Sequence, residues 1–250
     1  MAGHSKWAQI KRKKGATDAK RGQLFSKLAR AIIVAAREGG PEPAGNLALQ
    51  NAIDKAKEAS MPKDNIERAI ARGAGPSADG ATYETVTYEG YGPAGIAVYV
   101  EAVTDNRNRT AAEVRHIFSK ADGSLGESGS VAWLFERRAV VLVDGAADED
   151  DLMLAAAEGG ADDVEREGDS WRVTGPPEAL ASVRQAVESA GMTVESADLT
   201  MLPKTTVELD DEGAARKVLR LMDALEDNDD VQDVFANFDI PERVLETVEG

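Results

Sequence analysis

The 250-residue chain has no cysteine. That absence excludes a disulfide framework and a thiolate metal site. Histidine is almost as scarce, with His4 and His116 far apart in sequence. A zinc site would need mostly carboxylates, and no Ser/His/Asp or Cys/His catalytic arrangement can be assembled. The chain is therefore expected to be no enzyme and to hold no metal and no cofactor. Long apolar runs are lacking as well. The longest near the N-terminus, Ala31-Ile32-Ile33-Val34-Ala35-Ala36, is bracketed by Arg30 and Arg37. A bilayer span needs about 20 apolar residues, and a secretory signal places its apolar run directly behind its basic segment. The basic N-terminus is not Ser-rich as a mitochondrial transit peptide would be. A cytoplasmic location without membrane insertion is the expectation.

Acid is nearly missing from one end. Within residues 1–37 the only acidic residue is Asp18, against ten basic ones. Residues 1–72 hold 15 Lys and Arg against 7 Asp and Glu, a net of +8. Of the chain's 29 basic and 45 acidic residues this leaves 14 and 38 beyond, a net of −24. Such an asymmetry implies one pole that seeks polyanions and a body that avoids them. The rest of the composition, 42% hydrophobic and 30% charged, belongs to a globular protein of roughly two ordinary domains by length.

Periodicity divides the chain further. Residues 1–19 carry a Lys/Arg cluster, one large apolar group (Trp7) and little apolar pattern, and read as a basic arm. Residues 20–73 read as three helices. In the first, Leu24, Phe25, Leu28, Ile32, Ala35 and Ala36 share a face. The second runs over about 46–60. The third runs over about 64–72, with Asp64 and Glu67 at capping-box spacing. Residues 74–80 are a Gly-rich linker by composition. Beyond it, strands are expected near 83–89, 95–103, 129–135, 138–143, 161–166, 169–174, 193–199, 204–209 and 231–238. Helices are expected near 108–120, 148–158, 177–190 and 211–226. Segments 137–200 parse as β-α-β-β-α-β, the ferredoxin-like unit. Segments 81–136 and 201–240 form a second, split α/β unit into which the first is inserted. The fold class is α+β: an N-terminal three-helix domain followed by two ferredoxin-like α/β domains, one inserted into the other.

Several motifs invite chemistry. The run Asp148-Glu149-Asp150-Asp151 points in several directions from a helix start, where acids favour the dipole, so it reads as a solvated cap. Gly123-Ser-Leu-Gly126-Glu-Ser-Gly129 lacks the Gly-Lys-Ser/Thr of a P-loop and reads as a turn. Thr104-Asp-Asn-Arg107-Asn-Arg109-Thr110 differs. Thr110 and Glu113 have capping-box spacing, and Arg107 and Arg109 stand just before the helix as a local basic patch, with Arg115 and Lys120 further along. This segment reads equally as a second phosphate contact or a structural helix start. The strongest signal is the N-terminal basic set: Lys6, Lys11, Arg12, Lys13, Lys14, Lys20, Arg21, Lys27, Arg30 and Arg37. A solvated helix face would mix both signs, whereas this set can neutralise several phosphates at once. An anionic membrane surface or an acidic protein partner is the alternative.

The stretches Gly3-His-Ser-Lys-Trp7, Asp18-Ala-Lys-Arg-Gly22, Ala35-Ala-Arg-Glu-Gly39, Met61-Pro-Lys-Asp-Asn-Ile-Glu-Arg-Ala-Ile70, Tyr88-Glu-Gly-Tyr-Gly-Pro93, Thr104-Asp-Asn-Arg-Asn-Arg-Thr110 and Gly129-Ser-Val-Ala-Trp133 resemble the YebC/PmpR family. That family includes the mitochondrial translational activator of cytochrome oxidase. The resemblance runs nearly the full length. It implies the three-domain architecture and one of two roles: a DNA-binding transcriptional regulator, or a ribosome-associated factor easing translation through proline-rich stretches. Where the family has Asn-Pro followed by an Arg in the second helix, this chain reads Asn46-Leu-Ala-Leu-Gln-Asn51, which removes a basic group. The expected partner is nucleic acid, DNA or ribosomal RNA, with the ribosome itself a candidate. No helix-turn-helix reader or aromatic RNA-binding platform is recognisable, so sequence-specific readout has little support. A protein–protein adaptor is the alternative function.

Overall fold

The computed structural model describes residues 18–75 and 83–249. Most of the expected arm and linker, including Lys6, Lys11, Arg12, Lys13 and Lys14, lies outside the described residues. The chain divides into two compact units. One joins the residues up to Leu134 with those from Thr205 onward, and the other is Phe135–Lys204.

The first unit opens with α1 (Asp18–Gly39), α2 (Leu47–Glu58) and α3 (Lys63–Ala74). Their facing stripes bury Ile32, Ile33, Ala36, Leu49, Ile53, Ala56, Met61 and Ile66 in one core. The Asn46 Oδ1 accepts from the Leu49 N–H at 3.1 Å, while its amide nitrogen donates to the carbonyls of Ala35 (2.7 Å) and Gly40 (2.8 Å). One buried amide thus caps α2 and ties its start to the end of α1. The capping box expected at Asp64 and Glu67 does not form. Pro62 is the N-cap of α3, its carbonyl accepts from the N–H groups of Asn65 and Ile66, and no side chain caps the helix. Proline pre-sets its own φ for this entry. Asp64 is left within the first turn, where its charge still favours the dipole.

The same unit continues into a four-stranded antiparallel sheet. Its strands are β1 (Glu84–Tyr91), β2 (Ala97–Thr104), β3 (Ser124–Leu125) and β9 (Val231–Ala236), in the order β3-β1-β2-β9. Helices α4 (Arg107–Lys120) and α7 (Glu212–Glu226) pack Val114, Phe118, Val218, Leu221, Met222 and Leu225 against Val98, Val100 and Val231. Two expectations are corrected here. Residues 129–135 are not a strand of this sheet: 132–134 form a 3₁₀ turn, and the edge strand is β3. The cause is Glu89, whose carboxylate draws in the N–H groups of Gly129, Val131 and Ala132 and bends the chain. The strand expected at 204–209 shrinks to β8 (Val207–Glu208). It pairs in parallel with β10 (Phe238–Asp239) rather than with the split sheet. Its place beside β2 is taken by β1, which reaches β2 through a short hairpin in register from Glu84↔Thr104 to Tyr91↔Ala97. A local pairing closes at less entropic cost than one spanning the inserted unit. The unit ends in α8 (Glu242–Glu249).

The second unit is β4 (Phe135–Asp144), α5 (Glu149–Gly159), β5 (Asp163–Glu167), β6 (Ser170–Gly175), α6 (Leu180–Ser189) and β7 (Val194–Pro203). Its sheet order, β5-β6-β4-β7, is that of a ferredoxin-like unit. Asp148 caps α5, its side chain accepting from the N–H groups of Asp150 and Asp151. The acidic run therefore works as a helix start.

Gly73 is the contact that sets α3 against α1. A Cβ there would lie 2.5 Å from the Ile33 carbonyl oxygen and 2.8 Å from Ala36 Cβ. The Ile33 oxygen is backbone and cannot swing away. Gly73→Ala should therefore destabilise the protein by about 1–3 kcal/mol, read as a lower denaturant midpoint. An unchanged midpoint would mean that the two helices do not approach this closely.

Candidate nucleic-acid interface

Lys20 and Arg21 stand in the first turn of α1. The Arg21 side chain is exposed and lies 5.8 Å over the Phe25 ring. One turn on, the same helix meets the segment leading into β9. Gln23 donates to the Asp227 carbonyl at 2.7 Å and to Asp229 Oδ1 at 2.8 Å. The Lys27 ammonium donates to the Glu226 carbonyl. Arg30 donates to the Asp229 carbonyl at 2.8 Å and to Asp230 Oδ1 at 3.0 Å, with Tyr83 stacked 5.8 Å away. Arg37, near the C-terminal end of α1, is half-buried.

The basic patch expected at Arg107 and Arg109 sits inside α4. The capping box expected at Thr110 and Glu113 is not what starts this helix. Asn106 is the N-cap, accepting from the Arg109 N–H at 3.1 Å, and Thr110 is buried one turn in. Arg107 remains exposed, 3.7 Å from Glu84. Arg109 donates to Asp230 Oδ2 at 2.7 Å and to Asp105 Oδ1 at 2.9 Å.

Both arginine sets thus converge on one carboxylate. Asp230 is 5% exposed, and a carboxylate withdrawn from water is costly unless its oxygens are satisfied. Here Oδ1 accepts from Arg30, while Oδ2 accepts from Arg109 and from the Thr110 hydroxyl at 2.7 Å, with the Thr104 hydroxyl at 3.2 Å. Burial alone would raise the Asp230 pKa, but hydrogen bonds from Arg109 and Thr110 and the Arg109 charge bring it below the ordinary value. In return the hydrogen bond to Asp230 pushes the Arg109 pKa up, keeping it charged. The cleft of about 470 Å³ around this cluster is lined mainly by acids: Asp105, Glu113, Asp227, Asp229 and Asp230. Phosphate would meet repulsion there.

The Gly-rich loop is occupied in the same way. The buried Glu89 carboxylate accepts from the N–H groups of Gly129 (2.6 Å), Val131 (2.8 Å) and Ala132 (2.7 Å). Desolvation raises its pKa, and these three amides more than reverse that. Amides that could cradle an external anion already hold an internal one. Among the described residues no group of three or more His, Asp or Glu could hold a metal ion, and no helix is long and apolar enough to cross a membrane. Asp230 carried no sequence signal, and Glu89 stood out only as part of the stretch Tyr88–Pro93. Each is one acid among 45, and only the fold brings its donors together.

A three-helix N-terminal domain carrying a cationic pole, followed by two sheet-bearing α+β parts, defines the class. The TACO1/YebC protein N-terminal domain matches residues 5–76, and the TACO1/YebC second and third domain matches 83–238. The chain belongs to the TACO1/YebC family. It is 61% identical to a "Probable transcriptional regulatory protein" of Rubrobacter xylanophilus, over the whole of both chains. It is 54% identical to a protein of the same description from Halothermothrix orenii, over 99% of each. A crystal structure of a conserved hypothetical protein from Aquifex aeolicus superposes with a TM-score of 0.80 at 50% identity, covering 90% of this chain and 93% of that one.

The carboxylate cluster generates a stability prediction with a pH signature. The Asp230 pKa is lowered in the folded state, so its stabilisation is present above the ordinary value of 3.8 and is lost as pH falls through the folded value. At neutral pH, Asp230→Asn should cost about 3 kcal/mol, because Arg30 and Arg109 lose their common anion. Below about pH 3.8 the gap between parent and variant should close. Equal unfolding midpoints at neutral pH would contradict the cluster.

Proposed function

We propose that this protein is a nucleic-acid-binding regulator of gene expression that grips the phosphate backbone through its N-terminal pole. The observation that carries this reading is the segregation of charge. Ten basic residues and a single acid occupy residues 1–37, ahead of a strongly acidic remainder. Within that pole the contacts are assigned to Lys6, Lys11, Arg12, Lys13, Lys14, Lys20, Arg21 and Arg37. Lys27 and Arg30 bond to the segment 226–230, and Arg109 bonds to Asp230 and Asp105. Their proposed role is to orient the pole. Arg107 is exposed and offers a further contact.

The relatives are described as probable transcriptional regulatory proteins, a role that a DNA target would serve. The chemistry of the contacts favours a fixed RNA surface such as the ribosome. Phosphate contacts position a protein without reading sequence, and finding one promoter among a genome of competing sites requires a large specificity ratio. Docking on one abundant RNA surface requires mainly shape and charge, so this is the finer target we favour. Ribosomes and a promoter fragment offered together at physiological salt separate the two. Retention on the promoter that ribosomes cannot displace would overturn the ribosomal preference.

Whichever the target, binding should be electrostatic. On a single strand, log affinity should fall with log salt at about −0.7 per neutralised phosphate. Replacing Lys11, Arg12, Lys13 and Lys14 with alanine should make that slope shallower by about 2–3 units. An unchanged slope would remove the arm from the interface.

A further inference from the structure

Helices α4 and α7 lie antiparallel on the split sheet, tied at both ends. Asn228, just past the end of α7, donates to Glu113 in the first half of α4 at 2.8 Å. Lys217, in the first half of α7, donates to Asp122 just past the end of α4, also at 2.8 Å. Their inner faces are consumed by the core, including Val114, Phe118, Val218, Leu221 and Met222. Exposed on them are the cations Arg115 and Lys120 on α4 and Arg216, Lys217 and Arg220 on α7, alongside the acids Glu113, Glu212 and Asp223.

This composition is unlike its surroundings. Beyond residue 72 the chain holds 38 acidic residues against 14 basic ones. A solvated surface drawn from that pool would show more than two acids for each base. Yet the stretches 115–120 and 213–220 contain no acid. The cations also differ in their engagement. Lys217 is held by Asp122, and Arg216 donates to the Thr247 carbonyl at 3.1 Å. Arg115, Lys120 and Arg220 have no hydrogen-bond or ion-pair partner among the described residues, in contrast to Arg30 and Arg109.

We propose that the outer face of α4 and α7 is a second nucleic-acid contact surface, with Arg115, Lys120 and Arg220 binding backbone phosphates. It rests on the reading that the chain binds nucleic acid, and adds a site distinct from the N-terminal pole. Charge complementarity selects the occupant. With three cations that no acid of the chain engages, the partner it fits is a polyanion. Arg115 and Lys120, five residues apart, stand about 7–8 Å apart along the helix axis and about 140° apart around it, so they flank the outward ridge of α4; packed helices lie about 8–10 Å apart. The groups ride on packed helices, so little backbone ordering is required on binding.

The test uses the full chain with Arg115→Gln, Lys120→Gln and Arg220→Gln combined. These positions are exposed, and an unchanged thermal midpoint confirms folding. Binding of fluorescein-labelled oligouridine is followed by anisotropy across a salt series, for the parent, this triple variant and the Lys11–Lys14 alanine variant. The expected result is a slope shallower by about 2 units in the triple variant, with affinity weakened at least about tenfold at low salt. Combining both sets should add their effects. A triple variant with the parent's slope, while the parent binds and the arm variant is impaired, overturns this surface and leaves the functional reading standing. A parent that does not bind oligouridine or duplex DNA at any salt overturns both. A triple variant that loses retention on immobilised polyglutamate but keeps RNA affinity overturns it too, and makes the face a protein contact.

Discussion

The Asp230 carboxylate is the constraint on which the N-terminal part of the molecule depends. It is buried, it carries charge, and its donors come from three separate places in the chain: Arg30 on α1, Thr104 at the end of β2, and Arg109 and Thr110 in α4. A buried anion in this position tolerates few alternative arrangements, because losing any one donor leaves an expensive group partly unsatisfied. The orientation of α1 against the split sheet follows from it. Gln23 and Lys27 extend the same contact along α1, and Lys55 on α2 adds a pairing with Asp233 at 3.6 Å.

Seen from Asp230, the cations fall into two kinds. Lys27, Arg30 and Arg109 are spent on intramolecular oxygens. Arg21, Arg115, Lys120 and Arg220 face solvent. A surface salt bridge contributes little on its own, whereas a cation that can neutralise a phosphate releases counterions and contributes in proportion to their number.

Much of this architecture is legible in the sequence. The 3.6-residue stripe through Phe25, Leu28, Ile32 and Ala36 placed α1, and the β-α-β-β-α-β order placed the second unit, because both follow from local periodicity. The charge segregation was legible from counting alone. What could not be read was decided by contacts distant in sequence. Glu89 turns residues 129–132 into a loop where alternation suggests a strand. β1 displaces the 204–209 segment from its expected place because the hairpin to β2 is shorter. In the site, Arg30 and Arg109 looked identical to Arg21 and Arg115, since nothing near them in sequence announces a carboxylate at residue 230. Local pattern identifies cations; only the fold says which of them already have an anion.

The most direct test of a nucleic-acid-binding pole is ultraviolet crosslinking of the full-length protein in growing cells, followed by mass spectrometry of the nucleotide-bearing peptides. The account predicts adducts concentrated on peptides from the arm through Arg21. Recovery of protein without any nucleotide adduct, or with adducts absent from the arm, would contradict it.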